Sequence, residues 1–233
     1  IYQHSFQVSM YSIAIAKEMG YSYEDIRLIG IGALLHDIGK LLIPIEILLK
    51  PGQLTEDEYE EIKRHAQYGF DLLRNLHSLS LLVAHCAFQH HERIDGSGYP
   101  RGIMDHEIHP FAKIIAVADV FDALTSNRVY RKKMLPTEAI AIITKDDGTK
   151  FDTRVVEAFK RSIVHYANGT IVLLTDGRRG IVSRQNLIDV TRPWIRIFEE
   201  DNKLLGATYE ICLSDYPEIY IKNIETEFSV YVE

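Results

Sequence analysis

A histidine–aspartate pair at 36–37, a histidine at 65, a histidine pair at 90–91 and an aspartate at 119 mix imidazole and carboxylate donors as first-row divalent cations prefer. His4 adds an early imidazole. Taken singly, each has an ordinary explanation: a histidine on an apolar helix face is commonly a core residue bonded to a carbonyl, and an aspartate at a helix end is commonly a cap. The set changes the balance. His4, His36, Asp37, His65, His90, His91 and Asp119 exceed what one tetrahedral ion uses, and they point to at least two metals. Ions about 3.5–4 Å apart are a common arrangement for hydrolysing phosphate esters. Lys40 follows His36 by one helical turn, and "RVYRKK" at 128–133 is the densest cationic stretch of the chain. Within it Lys132 and Lys133 read as a solvated face. His77, His85, His106, His109 and His165 read as structural, His85 because five residues before His90 turns it away from that face.

These residues need elements to bring them together. From Ile1 to about Tyr166 apolar residues recur at three and four spacings, the pattern of helices. Ile26, Ile29 and Ala33 lead by that period to His36 and Asp37, and Ile115 and Ala118 lie beside Asp119. A helix from Thr55 would carry Tyr59, Ile62, His65, Gly69, Leu72 and Leu76 on one stripe, placing His65 close to the core. Start signals sit where these helices need them: Ser22 with Asp25, Thr55 with Glu58, Pro110, and Asp152. Three apolar helices thus each turn a metal-competent side chain inward, and converging buried charges are costly unless a cation lies between them. In "HHERIDGSGYP" at 90–100, adjacent histidines point about 100° apart on a helix end and so could serve different positions around a cluster. Gly96 and Gly98 allow a tight turn close to a ligand, Tyr99 offers a ring or hydroxyl, and Glu92 and Asp95 read as supporting the turn rather than binding metal. After Ala167 the texture changes to short β-rich runs, "TIVLLT", "IVS", "WIRIF", "YEICLS" and "IYIKNI", broken by turn residues.

The totals set limits on function. The chain has 233 residues, is 46% hydrophobic, and carries a formal charge of −7, which disfavours general attraction to nucleic acid or an anionic membrane and leaves an anionic ligand in need of a local cationic patch. Cys86 and Cys212 lie far apart and read as buried thiols of a reducing compartment rather than a zinc pair or a disulfide. No apolar run is long enough for a bilayer and no signal segment opens the chain, so a cytoplasmic location is expected. The absence of an initial methionine, inside a helical pattern, reads as a truncated N-terminus.

"HDIGK" at 36–40 followed by "HHERIDGSGYP", with "LTEDEYEEIKRH", "AVADVFDALTSNRVYR" and "GTKFD", resembles the HD-GYP family of bacterial phosphodiesterases, the branch of HD metal-dependent phosphohydrolases that degrades cyclic di-GMP. The resemblance covers roughly residues 1 to 160. It implies a mainly α, HD-type helical bundle over 1–166, with a small β-rich C-terminal appendage over 167–233 to which no chemistry is assigned. By position it implies His4, His36, Asp37, His65, His90, His91 and Asp119 as metal ligands, Asp37 as the bridging carboxylate, and two or three divalent ions, iron or manganese. The glutamate that holds a third ion in some members would precede Ile1. Lys40, Gly98, Tyr99, Arg128 and Arg131 match positions that contact the substrate, with Asp37 and Lys40 taking part in catalysis. The implied reaction is attack on phosphorus by a hydroxide bridging the metals, opening cyclic di-GMP to linear pGpG and in some members continuing to GMP. An upstream sensor or receiver domain and a homodimer are expected partners. A related HD enzyme acting on another cyclic dinucleotide, and a non-catalytic cyclic di-GMP receptor, are the alternatives.

Overall fold

The computed structural model describes residues 2–126, 134–162, 166–186, 189 and 192–225. It divides into two compact units, Ile1–Ile163 and Val164–Glu233. The first is helical: α1 (Tyr2–Glu18), α2 (Tyr23–Leu35), α3 (Ile45–Leu48), α4 (Glu56–Lys63), α5 (His65–Leu73), α6 (Leu81–Gln89), α7 (Pro110–Thr125), α8 (Pro136–Lys145) and α9 (Thr153–Ser162), with a tight 3-10 turn at Ile38–Leu42 between α2 and α3.

α7 lies at the centre of this unit. Its residues Phe111, Ala112, Ile114 to Asp119, Phe121 and Asp122 are buried on nearly every side, as a helix without a polar face must be. Ile15 of α1, Ile29 of α2, Ile143 of α8 and Phe159 of α9 complete the same core. Local chemistry sets the ends of these elements. Thr55 Oγ accepts the Glu58 N–H while Glu58 returns a bond to the Thr55 N–H, a full capping box. At Ser22 only half of that device forms, because Asp25 meets the Ser22 hydroxyl instead of its N–H. Pro110 occupies the first turn of α7 behind a His109 cap, and Asp152 Oδ1 accepts the Arg154 N–H at the start of α9.

The stripe expected through Thr55–Leu76 is corrected by the structure. The helix breaks at Arg64 into α4 and α5, and Tyr59, Leu72 and Leu76 are exposed. The buried positions are His65, Ala66, Gly69 and Leu73, a face rotated relative to the one read from the apolar residues. The cause is the neighbour. The turn carrying Gly39 runs so close to α5 that a β-carbon on Gly39 would lie 2.0 Å from the His65 carbonyl oxygen and 2.4 Å from the Gly69 nitrogen. A backbone therefore covers the face that side chains would otherwise need to fill.

The second unit is a five-stranded antiparallel sheet in the order β4-β3-β2-β1-β5, built from β1 (Ile171–Leu174), β2 (Arg179–Arg184), β3 (Trp194–Glu200), β4 (Lys203–Cys212) and β5 (Ile221–Glu225). Asp201 and Asn202, at φ 48° and 60°, make the turn between β3 and β4. Tyr166, Val172, Leu174, Ile195, Ile197 and Leu213 form its core. Cys86 and Cys212 are free and buried. Among the described residues no helix is long and apolar enough to cross a membrane.

Candidate metal centre

Helical geometry delivers each candidate ligand to one place. His36 caps the C-terminus of α2, Asp37 follows it, His65 opens α5, His90 caps α6 with His91 next, Asp119 lies on α7 and His4 in the first turn of α1. Their donor atoms gather into two neighbouring groups, Asp37 with His65, His90 and His91, and His4 with His36 and Asp119, each within 4.8 Å internally. The Asp37 carboxylate faces both. Its Oδ1 lies 3.4 Å from His65 Nε2 and 3.9 Å from His90 Nε2, and its Oδ2 lies 3.5 Å from His36 Nε2 and 3.7 Å from His4 Nε2. Asp119 Oδ1 approaches His4 Nε2 at 3.2 Å, and its Oδ2 stands 3.9 Å from His91 Nδ1.

The hydrogen bonds assign the tautomers. His36, His65 and His90 each place Nδ1 on a main-chain oxygen three residues back, Ala33 at 2.6 Å, Ile62 at 2.6 Å and Ala87 at 2.9 Å. A carbonyl can only accept, so Nδ1 carries a proton, and in the neutral ring Nε2 presents a lone pair. His65 and His90 then point two lone pairs at each other across 3.3 Å. His36 Nε2 and Asp37 Oδ1 are buried without a hydrogen-bond partner. Orphaned nitrogens and oxygens that converge around one carboxylate fit divalent cations, and mixed N/O donors fit first-row metals. Charge agrees with this in the four-residue group, whereas in the three-residue group burial is outweighed, Asp119 and Asp122 raising His4 to about 9 and Asp37 raising His36, so that binding an ion there would release protons. Burial, with the neighbouring imidazoles, holds His90 well below the usual histidine range, and burial pushes His91 down to about 3, so both are neutral donors. Burial opposes ionisation of Asp37, yet His36 and Lys40 hold it well below the usual carboxylate range.

The lip at 90–100 is packed against the end of α6. Tyr99 N–H donates to the His91 carbonyl at 3.2 Å, and a β-carbon on Gly98 would fall 2.4 Å from the Arg93 nitrogen and 2.4 Å from Glu92 Cα. Glycine at 98 is thus required by close approach, whereas Gly96 turns the chain at φ +78°. Tyr99 stacks on His91 with ring centres 4.5 Å apart, and burial pushes its phenol up. Asp95 Oδ1 accepts from Ser97 N–H and hydroxyl. Glu92 is buried, and its two oxygens accept the Arg101 and Ile103 N–H groups at 2.8 and 3.2 Å. Glu92→Ala would strand both donors and is expected to lower unfolding stability by about 2 kcal/mol, measured by urea titration, with Glu92→Gln losing less.

Lys40 Nζ bonds Asp37 Oδ2 at 2.5 Å, beside the centre. Arg128 and Arg131 lie outside the described residues, as does His165. His109 serves as the α7 cap and His85 packs on Phe70, away from the centre. One participant escaped the sequence reading. Asp122, a turn after Asp119 on α7, accepts His4 Nδ1–H at 2.6 Å. The i, i+3 spacing of the two aspartates on one apolar helix was its only signal.

An HD-domain model matches residues 1–155. The cyclic di-GMP phosphodiesterase PA4108 of Pseudomonas aeruginosa is 39% identical over 197 residues, 84% of this chain and 47% of that protein. A cyclic di-GMP phosphodiesterase of Thermotoga maritima is 46% identical over 159 residues, 68% of this chain and 43% of the relative. The 3'3'-cGAMP-specific phosphodiesterase 3 of Vibrio cholerae is 40% identical over 160 residues, 69% of this chain and 35% of the relative. The chain spans less than half the length of each. Among solved structures, the HDG"Y"P protein Bd1817 of Bdellovibrio bacteriovorus superposes with a TM-score of 0.57 at 24% identity, over 68% of this chain and 50% of that one, a likeness of fold.

Proposed function

The chain belongs to the HD-domain family, in its HD-GYP branch, and on that premise we propose that it hydrolyses cyclic di-GMP to linear pGpG at the centre built around Asp37. One observation carries the reading: seven nitrogen and oxygen donors form two adjacent groups that share the Asp37 carboxylate, with the Lys40 ammonium beside it. Asp37, His65, His90 and His91 would hold one divalent ion, and His4, His36 and Asp119 a second, with iron or manganese suited to the donor set. Such ions supply Lewis acidity to phosphoryl oxygens and an acidified water as nucleophile.

The protein's own groups do the rest. His36, His65 and His90 are locked by their Nδ1 bonds, so their lone pairs stay aimed at the centre without reorganisation. Tyr99, held over His91, forms one wall of the mouth, and Gly98 lets the lip lie against α6. Lys40 places positive charge where the non-bridging phosphate oxygens gain negative charge, and Arg128 and Arg131 are assigned to phosphate binding by their motif alone. Lys40→Met is expected to lower kcat/KM by about 10²-fold while the bound-metal count stays the same.

A second substrate has a specific argument behind it, the 40% identity to a relative named for 3'3'-cGAMP. The test is anaerobic turnover of cyclic di-GMP and of 3'3'-cGAMP by the same Mn²⁺-loaded protein, with products separated by chromatography. Faster opening of cyclic di-GMP supports the proposal. Faster opening of 3'3'-cGAMP moves the substrate assignment to that dinucleotide.

A further inference from the structure

His4 is held differently from His36 of its own group and from His65 and His90 of the neighbouring one. His36, His65 and His90 donate Nδ1–H to carbonyls of their own helical turns, an anchor that persists as long as the helix does. His4 donates instead to a side chain 118 residues away, the Asp122 carboxylate on α7. Asp122 is itself buried, and its second oxygen accepts the Ser126 hydroxyl at 3.0 Å, so both of its oxygens have fixed directions. The opposite ring nitrogen, His4 Nε2, faces Asp119 Oδ1 at 3.2 Å and Asp37 Oδ2 at 3.7 Å. No atom of Asp122 is paired with Asp37, His65, His90 or His91 among the described residues.

We infer that Asp122 is a positioning residue for one of the two ion sites only, that of His4, His36 and Asp119. Its carboxylate fixes the His4 tautomer with the lone pair on Nε2, sets the ring plane, and makes the imidazole a stronger donor. It also ties α1, which contributes a single ligand, to α7, which contributes Asp119 to the same group. The two sites therefore depend unequally on one buried carboxylate. Loss of Asp122 empties the three-residue site first and leaves the four-residue site able to load.

The inference rests on the reading that these groups hold divalent ions, and the experiment separates the two. Chelator-stripped wild type, Asp122→Ala, Asp122→Asn, His4→Ala and the His4→Ala/Asp122→Ala double variant are titrated with Mn²⁺ alone, bound metal is counted, and Mn²⁺ paramagnetic resonance distinguishes a coupled pair from a lone ion. Circular dichroism of the stripped proteins checks that each is folded. Wild type is expected to bind two ions with a coupled spectrum. Asp122→Ala should keep one at wild-type affinity, show the spectrum of a lone ion, and bind the second about 10- to 100-fold more weakly. Asp122→Asn keeps an oxygen that can accept from Nδ1 and should fall between, which also carries the test if the alanine variant does not fold. In the His4→Ala background, removing Asp122 should add nothing further. Wild-type loading by both Asp122 variants, equal weakening of both sites, or additive losses in the double variant would overturn the inference. Failure of wild type to bind Mn²⁺ would overturn the underlying metal reading instead.

Discussion

Asp37→Ala is expected to abolish turnover, by about 10³-fold or more, while leaving the stripped protein folded. The estimate follows from the several kcal/mol that metal ions contribute to a phosphoryl transition state, with each 1.36 kcal/mol worth about tenfold. The Asp37 carboxylate lies between the two groups and faces two donors of each within 4 Å, with Oδ1 toward His65 and His90 and Oδ2 toward His36 and His4. Its loss removes a donor from each side and leaves mutually repelling lone pairs. Stability should respond differently. Lys40, the cation that loses its partner, keeps 26% of its side chain exposed and can turn to water. The penalty for breaking a buried pair arises when the remaining charge stays buried, which Lys40 does not. Turnover and metal count are measured beside a thermal melt of the stripped protein. A large loss of activity with an unchanged melt marks Asp37 as functional, whereas parallel losses would mark it as structural.

Gly39→Ala is expected to have the largest effect on stability. Its β-carbon would stand 2.0 Å from the His65 carbonyl oxygen and 2.4 Å from the Gly69 nitrogen, both backbone atoms of α5 that cannot swing aside. Two chain segments must separate, and overpacking of this kind costs about 3 kcal/mol or more. For a unit of this size that corresponds to a melting point lower by roughly 6–12 °C. The same displacement moves Asp37 and Lys40 away from His65, so metal affinity should fall as well. Gly206→Ala, whose β-carbon meets nothing within 4 Å, is the control and should change stability by under about 0.5 kcal/mol. A Gly39→Ala protein as stable as its parent would contradict the close approach of the two backbones.

The sequence carried a good deal of this. Imidazoles and carboxylates at helical positions next to Ile29, Ala33, Ile115 and Ala118 are conspicuous because burial without a partner is costly, and the structure brings all seven to one place. The change from a period near four to short β runs after Ala167 marked the sheet. What stayed hidden depends on distant neighbours. The break at Arg64 has no glycine or proline to announce it, and the phase of α5 is set by a backbone passing over Gly69. Tyr59, Leu72 and Leu76 therefore read as inward and are not. Asp122 could be placed on the Asp119 face of α7, but its pairing with a histidine on α1 is a fact of packing. Glu92 reads as a turn support from its place in the motif, although the two N–H donors it accepts from, Arg101 and Ile103, lie beyond the proline where spacing gives no guide.

The most direct test of the central claim is hydrolysis of cyclic di-GMP by one preparation divided in two, one half stripped by chelator and the other stripped and then reloaded anaerobically with Mn²⁺. Linear pGpG is expected from the reloaded half and none from the stripped half, with the product lost when Asp37 is alanine. Intact cyclic di-GMP in the reloaded half, despite bound metal and bound dinucleotide, would contradict that claim and leave a receptor in place of an enzyme.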